Sequence, residues 1–440
     1  MTERSAAQWR NWAGTATANP LRWYRPTDPS QLADALKTAE RDGQTVRAVG
    51  AGHSFTTIAV ADQIAIDLSG WSGIIAADAR TGLVTVRSGT TIRALNAGLH
   101  ALGLAMANLG DIDAQTIAGA VSTGTHGTGA KLGGIATQIE ALELMLADGT
   151  VITTSATQRP DLFNAARVGL GALGIILTVT LRCVPSFVLA AQEGPEPIEA
   201  VLDGLDEHTA ANDHFEFYWF PYGKNALVKR NNRQPAGTRP APLSPLRQYF
   251  EYEVVENRAF GLLCQLGRSV PSLIRPLNRL SSSVLSPRAY SDHSHNVFVT
   301  SRDVRFVESE YAIPREALPD VLGELRREVP RLDDSIMFPV EIRVAAADDI
   351  WLSTANGRDS AYIAIHQYLG LPYQAYFDLF ESVVAQVGGR PHWGKMHSLG
   401  AGQLRTRYPH FDEFRKVRAE LDPAGRFTNA YLDTVLGPVS

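Results

Sequence analysis

The chain has 440 residues, 45% of them hydrophobic and 20% charged, with a formal net charge of -5. That composition excludes a disordered chain, and the length exceeds one ordinary core, so two domains are expected. The mild acidity gives no bulk electrostatic basis for nucleic-acid or membrane-surface binding, and two lone cysteines, Cys183 and Cys264, argue against a disulfide scaffold or a thiolate zinc site.

The first residues lack the apolar core of a signal peptide and no apolar run reaches membrane-spanning length, which predicts a cytoplasmic protein. Trp9, Trp12, Trp23 and Tyr24 among turn formers predict an ordered arm over 9–26. Asp28-Pro29-Ser30-Gln31 starts a helix, with Asp28 as N-cap, Pro29 in the first position and Gln31 completing a capping box. Leu32, Ala35, Leu36 and Ala39 form its apolar stripe and Gly43 ends it.

A strand over 45–49 then runs into Gly50-Ala51-Gly52-His53-Ser54. Gly50 and Gly52 permit positive φ and let backbone amides approach a ligand. Arg47 and Ser54 could add a charge and a hydroxyl, and His53 places a nucleophilic ring inside the cradle. On its own, the motif is equally an ordinary tight turn with a surface histidine.

Strands are predicted over 64–68 and 83–87, and a helix over about 91–102. Residues 109–134 are dense in Gly, Ala, Ser and Thr, from Leu109-Gly110-Asp111-Ile112 through Ser122-Thr123-Gly124-Thr125-His126-Gly127. Small residues allow close approach to something flat or extended. A flexible linker is the plainer alternative, opposed by Ile112, Ile117, Val121 and the lack of repetition. Strands over 139–146 and 151–154 flank Asp148-Gly149. Gly169-Leu170-Gly171-Ala172-Leu173-Gly174-Ile175-Ile176 forms a third glycine-rich approach, into a strand over 176–182.

After Pro185 the texture becomes that of a second, more antiparallel domain. Aromatic strand material fills 215–230, a proline-rich loop 234–247, and helix about 256–285. Strands are predicted over 296–307 and 336–346, with a helix near 314–329 between them. The tail has a helix near 412–421, and 422–429 reads as a turn with a strand end.

Three clusters could carry chemistry. In 338–344 the period of two places Glu341 and Arg343 on one face and Val340, Ile342 and Val344 on the other. The pair is either a solvated ion pair of little energetic value or a charged pair facing a cleft. Tyr362, His366 and Tyr368 likewise share a face. Pro391-His392-Trp393-Gly394-Lys395-Met396-His397 offers a lysine near a substrate or cofactor, or a tryptophan-anchored turn. The spacing of its histidines disfavours a metal site, and no metal is expected.

The order RPT-x-P, GAGHS, STGTHGTG, LGALGII, EIR, HQY, RPHWGK and DPAGRFTN resembles the vanillyl-alcohol-oxidase type of FAD flavoprotein, in its sugar-1,4-lactone oxidase and alditol oxidase branch. The resemblance spans nearly the whole chain. It implies an α+β fold of two domains: a FAD-binding domain over 1–182, completed by 401–440, and a cap over 183–400 built on a large antiparallel sheet. It implies a covalent bond from His53 to the flavin 8α-methyl carbon. Arg47, Ala48, Val49, Gly50, Ala51, Gly52 and Ser54 would hold the pyrophosphate. Gly110, Asp111, Thr116, Gly119, Ser122, Thr123, Gly124, Thr125, His126, Gly127, Gly174, Ile175 and Ile176 would complete the cofactor site. Glu341, Arg343, Lys395 and His366 would line the substrate side.

The implied reaction is oxidation of a sugar-1,4-lactone (L-gulono-, L-galactono- or D-arabinono-) at its C2 hydroxyl, by hydride transfer to FAD, with O2 giving H2O2. Gln115-Thr116 and His366-Gln367-Tyr368 resemble the lactone oxidases. Trp351-Leu352-Ser353 and Asp422-Pro423-Ala424-Gly425 stand as near to the alditol oxidases, so an open-chain polyol is the alternative substrate. Gly110 falls where a small residue leaves room for O2 at the flavin, and a dehydrogenase with another acceptor is the alternative. A nicotinamide Rossmann protein is disfavoured, because GAGHS lacks the third glycine and the distal acidic residue. A non-catalytic flavin- or sugar-binding module is the rival from another class.

Overall fold

The computed structural model describes residues 2–4, 8–283, 286–300 and 302–439. Its first sheet forms around the strand Ile64–Asp67, which pairs in parallel with Arg22–Arg25 on one side and Val46–Val49 on the other. Thr2–Arg4 joins the edge antiparallel. The crossover is the helix Pro29–Arg41. Asp28 accepts from the Gln31 amide at its N-cap, and Leu32, Ala35, Leu36 and Ala39 are buried against Val46, Ile64 and Ile66. Phe427 from the far end of the chain packs into the same cluster.

A second, five-stranded antiparallel sheet runs Val151–Ser155, Ile139–Met145, Ile175–Arg182, Leu83–Arg87, Ile74–Asp78. The third sheet has eight strands, in the order Arg288–His293, Val188–Pro197, Asn225–Arg233, His214–Trp219, Val340–Ala345, Ser360–Tyr368, Phe306–Pro314, Arg390–Pro391. Strict alternation gives this sheet two unlike faces. Ile313, Ile342, Ile363 and Ile365 join one core cluster with Val321 and Leu325 of the helix Leu318–Glu328 and Phe380 of the helix Gln374–Ala385. Glu216, Glu308, Glu310, Glu341, Arg343 and His366 have the opposite parity.

The small-residue stretch meets the sheet edge-on and is not a linker. Gly129 N–H donates to the Val344 carbonyl, and Thr128 Oγ1 donates to the Phe215 carbonyl at 2.5 Å. A Cβ on Gly127 would lie 2.1 Å from the Leu109 carbonyl oxygen, so only glycine permits that approach. These elements make an α+β fold that joins two smaller sheets to one large antiparallel sheet.

Some elements differ from expectation. The strand predicted over 296–307 is the short helix Ser294–Phe298, which tucks Val297 against Leu189 and Ala191, and the strand begins only at Phe306. The helix expected near 314–329 is present: a 3-10 turn over Arg315–Ala317 runs into the helix Leu318–Glu328. Among the described residues no strand follows Asp422: its carboxylate accepts the Arg426 and Phe427 amides, and Asn429 then caps the helix Ala430–Leu436. The helices Pro160–Ala166 and Gln374–Ala385 and the strands Val188–Pro197 and Arg288–His293 are additional.

Candidate active site

Two cavities meet at His53. The first is a cleft whose walls include Ala48–Ser54, Ser88, Gly89, Thr116, Gly119, Ser122, Thr123 and Gly174–Ile176. The second lies between the charged face of the large sheet and the small-residue loop. His53, Ser54, Gln115 and Thr123 border both.

The cleft is shaped by backbone. The strand Val46–Val49 ends, Gly52 takes φ 72°, and the amides of Ala51, Gly52, His53 and Ser54 donate to no acceptor among the described residues. A Cβ on Gly50 would lie 2.9 Å from Thr116 Oγ1, the N-cap oxygen of the helix Ile117–Ser122. Gly174 takes φ 143°, and the buried Ser88 hydroxyl has no partner among the described residues. Consecutive free amides without side-chain bulk form an anion cradle.

Arg47 borders the cleft, but its terminal nitrogens are committed to backbone carbonyls. Its guanidinium donates to the carbonyls of Ile58, Leu170, Gly171 and Phe427 at 2.7–3.0 Å. Burial, with Arg418 nearby, pulls its pKa down to about 10. The residue ties the cradle to the Leu170–Gly171 turn and to the tail.

His53 stacks on Trp12, ring centroids 5.8 Å apart. Burial, then the Lys395 charge, pushes its pKa below the ordinary imidazole range, which favours a neutral ring at neutral pH. Neither ring nitrogen has a hydrogen-bond partner among the described residues.

The wall facing His53 is charged. Arg343 lies between carboxylates: its Nε donates to Glu216 at 2.8 Å, a terminal nitrogen contacts Glu341, and Asp111 stands 3.7 Å away. Burial opposes its charge, but those carboxylates prevail and hold its pKa above the usual value. Glu341 also accepts from the Tyr218 hydroxyl at 3.0 Å. Lys395 contacts Glu308 and lies 3.9 Å from Glu310. Burial works against its charge too, and the two carboxylates raise its pKa above the ordinary lysine value.

Histidines complete the arrangement. His126 places Nε2 2.6 Å from Glu310 and Nδ1 2.9 Å from the Gly127 carbonyl, and it stacks on Tyr362. His366 lies 3.4 Å from Glu308. Burial depresses the His392 pKa to about 4; its Nδ1 accepts the Gly394 amide, so the proton of the neutral ring sits on Nε2. Among the described residues no group of three or more His, Cys, Asp or Glu could hold a metal ion.

Glu341, Arg343, His366 and Lys395 thus line one cavity with His53. Gly110, Asp111, Thr125 and His126, expected among cofactor contacts, line this second cavity and not the cleft. Asp111 is engaged there by Arg302 and Arg343. Gly124 turns the loop at φ 78°, and Gly127 is packed beneath it. Neither borders the two main cavities.

Sequence reasoning missed Glu216, Tyr218, Arg302, Glu308 and Glu310. The signal for the last two was present. Glu308 and Glu310 alternate with Val307 and Ser309, but ending a strand at 307 removed both carboxylates from any sheet face. Glu216 lay in recognised strand material, yet nothing in one strand announces which neighbour it will face.

The sequence pattern of the family described as D-arabinono-1,4-lactone oxidase matches residues 179–435, and that of a FAD binding domain matches 20–155. The chain is 44% identical to L-gulono-1,4-lactone dehydrogenase of Mycobacterium tuberculosis, over 98% of this chain and 99% of that protein. It is 36% identical to L-gulonolactone oxidase of Mus musculus, over 97% and 98%. It is 29% identical to alditol oxidase of a Streptomyces species, over 97% and 98%. Among solved structures, a solvent-stable cholesterol oxidase superposes with a TM-score of 0.82 at 18% identity, covering 98% of both chains. That likeness establishes the fold alone.

The cleft fits FAD. The free amides of 51–54 suit a pyrophosphate, the glycines admit an extended dinucleotide, and the junction of the cavities would bring its ring beside His53. With the family pattern over more than half its length and a matching FAD-binding region before it, the chain belongs to the aldonolactone oxidase family of FAD-dependent oxidoreductases.

Proposed function

We propose that the chain oxidises the C2 hydroxyl of a sugar-1,4-lactone of L-gulono-, L-galactono- or D-arabinono- type, with FAD covalently held by His53 and O2 as the final acceptor, giving H2O2. The observation that carries this reading is the pair of half-buried, carboxylate-paired cations, Arg343 and Lys395, in the cavity that His53 borders. The lactone names of two of these relatives support the substrate class.

Bound FAD supplies the two-electron acceptor for the hydride leaving C2. Around it, Lys395 would donate to the C2 oxygen and stabilise the negative charge that develops there as the hydroxyl proton passes to water and the hydride leaves C2. Arg343, gripped on two sides, offers its remaining donors to developing negative charge. Glu341 orients Arg343 and binds a ring or side-chain hydroxyl, and His366 with Glu308 positions Lys395. A neutral His53 keeps the lone pair that bond formation to the flavin requires. We assign residues 1–182 with 401–440 to the FAD-binding unit and 183–400 to the cap, and a cytoplasmic site of action.

Oxygen as acceptor rests on Gly110, which borders the cavity without a side chain. The 44% identity to a protein named a dehydrogenase favours a second reading, in which another acceptor reoxidises the flavin.

Acid precipitation of the purified protein tests the covalent bond. Yellow, fluorescent flavin should stay in the pellet, and in His53→Ala it should pass to the supernatant. Colour wholly in the supernatant for the unaltered protein removes the link. A panel of lactones and alditols, read by oxygen uptake against dye reduction, tests the rest. Fast dye reduction without oxygen consumption overturns the oxidase, and turnover of alditols alone overturns the lactone.

A further inference from the structure

Residues 245–283 form a helical excursion from the large sheet: Pro245–Gln248, the wide helix Tyr249–Ala259, Phe260–Ser269 and Ile274–Ser283. Its inner side is anchored. Cys264 and Ile274 are buried with Met337, Phe338 and Leu371, and the Phe260 ring meets Phe338 edge-on at 5.0 Å. A helix with one side packed in this way ordinarily turns polar residues outward.

This segment does not. Leu262 and Leu266, one turn apart on the outer side of their helix, are 66% and 44% exposed, and Leu280 on the next helix is 52% exposed. Leu246 and Phe250 are 80% and 56% exposed. Nine of the thirteen large hydrophobic side chains exposed among the described residues fall between 246 and 280, which is clustering and not scatter.

The exposed charges between them are mostly positive. Arg247, Arg258, Arg268 and Arg279 are exposed, while Glu251, Glu253 and Glu256 are half-buried. Glu251 and Glu256 reach the buried Arg288, at 3.9 and 2.8 Å. The outer surface therefore mixes leucine and aromatic side chains with arginine; of the carboxylates in the segment, Glu256 is partly exposed but paired with Arg288, and Glu251 is also reached by Arg247 at 3.6 Å, so the exposed charge is predominantly positive. A second copy of the chain docking symmetrically here would set arginines against arginines.

We propose that this face seats the protein on an anionic lipid surface. The apolar side chains enter the boundary between headgroups and acyl chains, and the arginines meet lipid phosphates. No helix of the described residues is long and apolar enough to cross a membrane, so the seat is interfacial. The whole-chain charge of -5 opposes such binding, and the local arginines overcome it at short range.

Vesicle flotation of the full-length, flavin-loaded protein tests this. The protein should rise with vesicles of equal parts phosphatidylcholine and phosphatidylglycerol, stay down with phosphatidylcholine alone, and detach as salt is raised. The double variant Leu262→Gln, Leu266→Gln should lower the bound fraction by roughly tenfold, from the loss of two inserted side chains. Arg258→Gln with Arg268→Gln should weaken binding to anionic vesicles at equal lipid. Both should keep the parent melting temperature and turnover. If a leucine variant misfolds, Phe250→Gln with Leu280→Gln addresses the same face from other helices. Protein left at the bottom with both vesicle types overturns the proposal. So does a concentration-dependent dimer that the leucine variants dissociate, or binding that ignores these substitutions.

Discussion

Arg343 donates from Nε to Glu216 on the adjacent strand at 2.8 Å, while the same guanidinium meets Glu341 on its own strand. Two carboxylates on different sides of one planar group fix its plane, not just its position. Lysine cannot reproduce that grip. Arg343→Lys should lower kcat/KM by about a hundredfold, in the range for a lost fixed donor to developing charge. Glu216→Gln, which keeps one acceptor but removes the charge, should cost about tenfold, mostly in kcat. Steady-state kinetics on preparations matched for flavin content measure both. Equal rates for parent and Glu216→Gln would mean that Glu341 alone holds the arginine.

The cradle makes a separate prediction. Gly174 takes φ 143°, and a Cβ there would stand 2.9 Å from the Met145 carbonyl oxygen. A valine would force the turn away from the cleft at a strain of about 1–3 kcal/mol. In a His53→Ala background, where flavin is held without a covalent bond, Gly174→Val should weaken FAD binding by about five- to a hundredfold. Quenching of flavin fluorescence reads the dissociation constant directly. Unchanged affinity would take Gly174 out of the cofactor site.

How much of this was legible depends on whether the determinant is local. The Asp28 N-cap with Pro29 in the first position, the Gly50–Ser54 turn and the Glu341/Arg343 face follow from spacing alone, and each is present; the capping box expected of Gln31 is not, because its side chain accepts the Thr27 amide at 3.2 Å. The partners were not legible, because strand order is set by packing: Glu216 and Arg343 lie 127 positions apart and meet through antiparallel pairing. Arg47 shows the converse. A positive charge beside a glycine loop suggests a phosphate ligand, yet four carbonyls distant in sequence converge on it. The stretch 296–307 misled because Val297 and Val299 alternate like a strand although Val297 is buried from a single helical turn.

Two histidines carry an acid sensitivity. Burial depresses both His392 and His397 to about 4, and His397 keeps one ring nitrogen buried without a partner among the described residues. Because their folded pKa values lie below the unfolded one, the unfolded chain binds more protons between about 4 and 6.5. Their contribution to stability is complete above that window and is lost as pH falls through it. The melting temperature should therefore drop by several degrees from neutral pH toward pH 4. His397→Gln, which can still bond the Tyr431 hydroxyl, should flatten the decline. A parent protein with the same melting temperature across the window would contradict this.

The Lys395–Glu308 contact sets a pH limit on activity. Burial alone would lower the lysine pKa, and Glu308, then Glu310, reverse that. Glu308 itself is raised by burial but held down at about 2 by Lys395 and His366, so it is a carboxylate throughout any working range. Its stabilising contribution is present above the ordinary carboxylate range and lost only as pH falls toward 2. It should produce no acid limb in the rate profile. Glu308→Gln removes the larger of the two opposing carboxylates, leaving burial opposed mainly by Glu310 at 3.9 Å. The ammonium should then deprotonate at lower pH, moving the alkaline limb of kcat/KM down by about one unit or more. Lys395→Met should remove that limb and most of kcat together. A Glu308→Gln profile that only scales in height, without moving along the pH axis, would show that Lys395 is not the group whose charge the reaction needs.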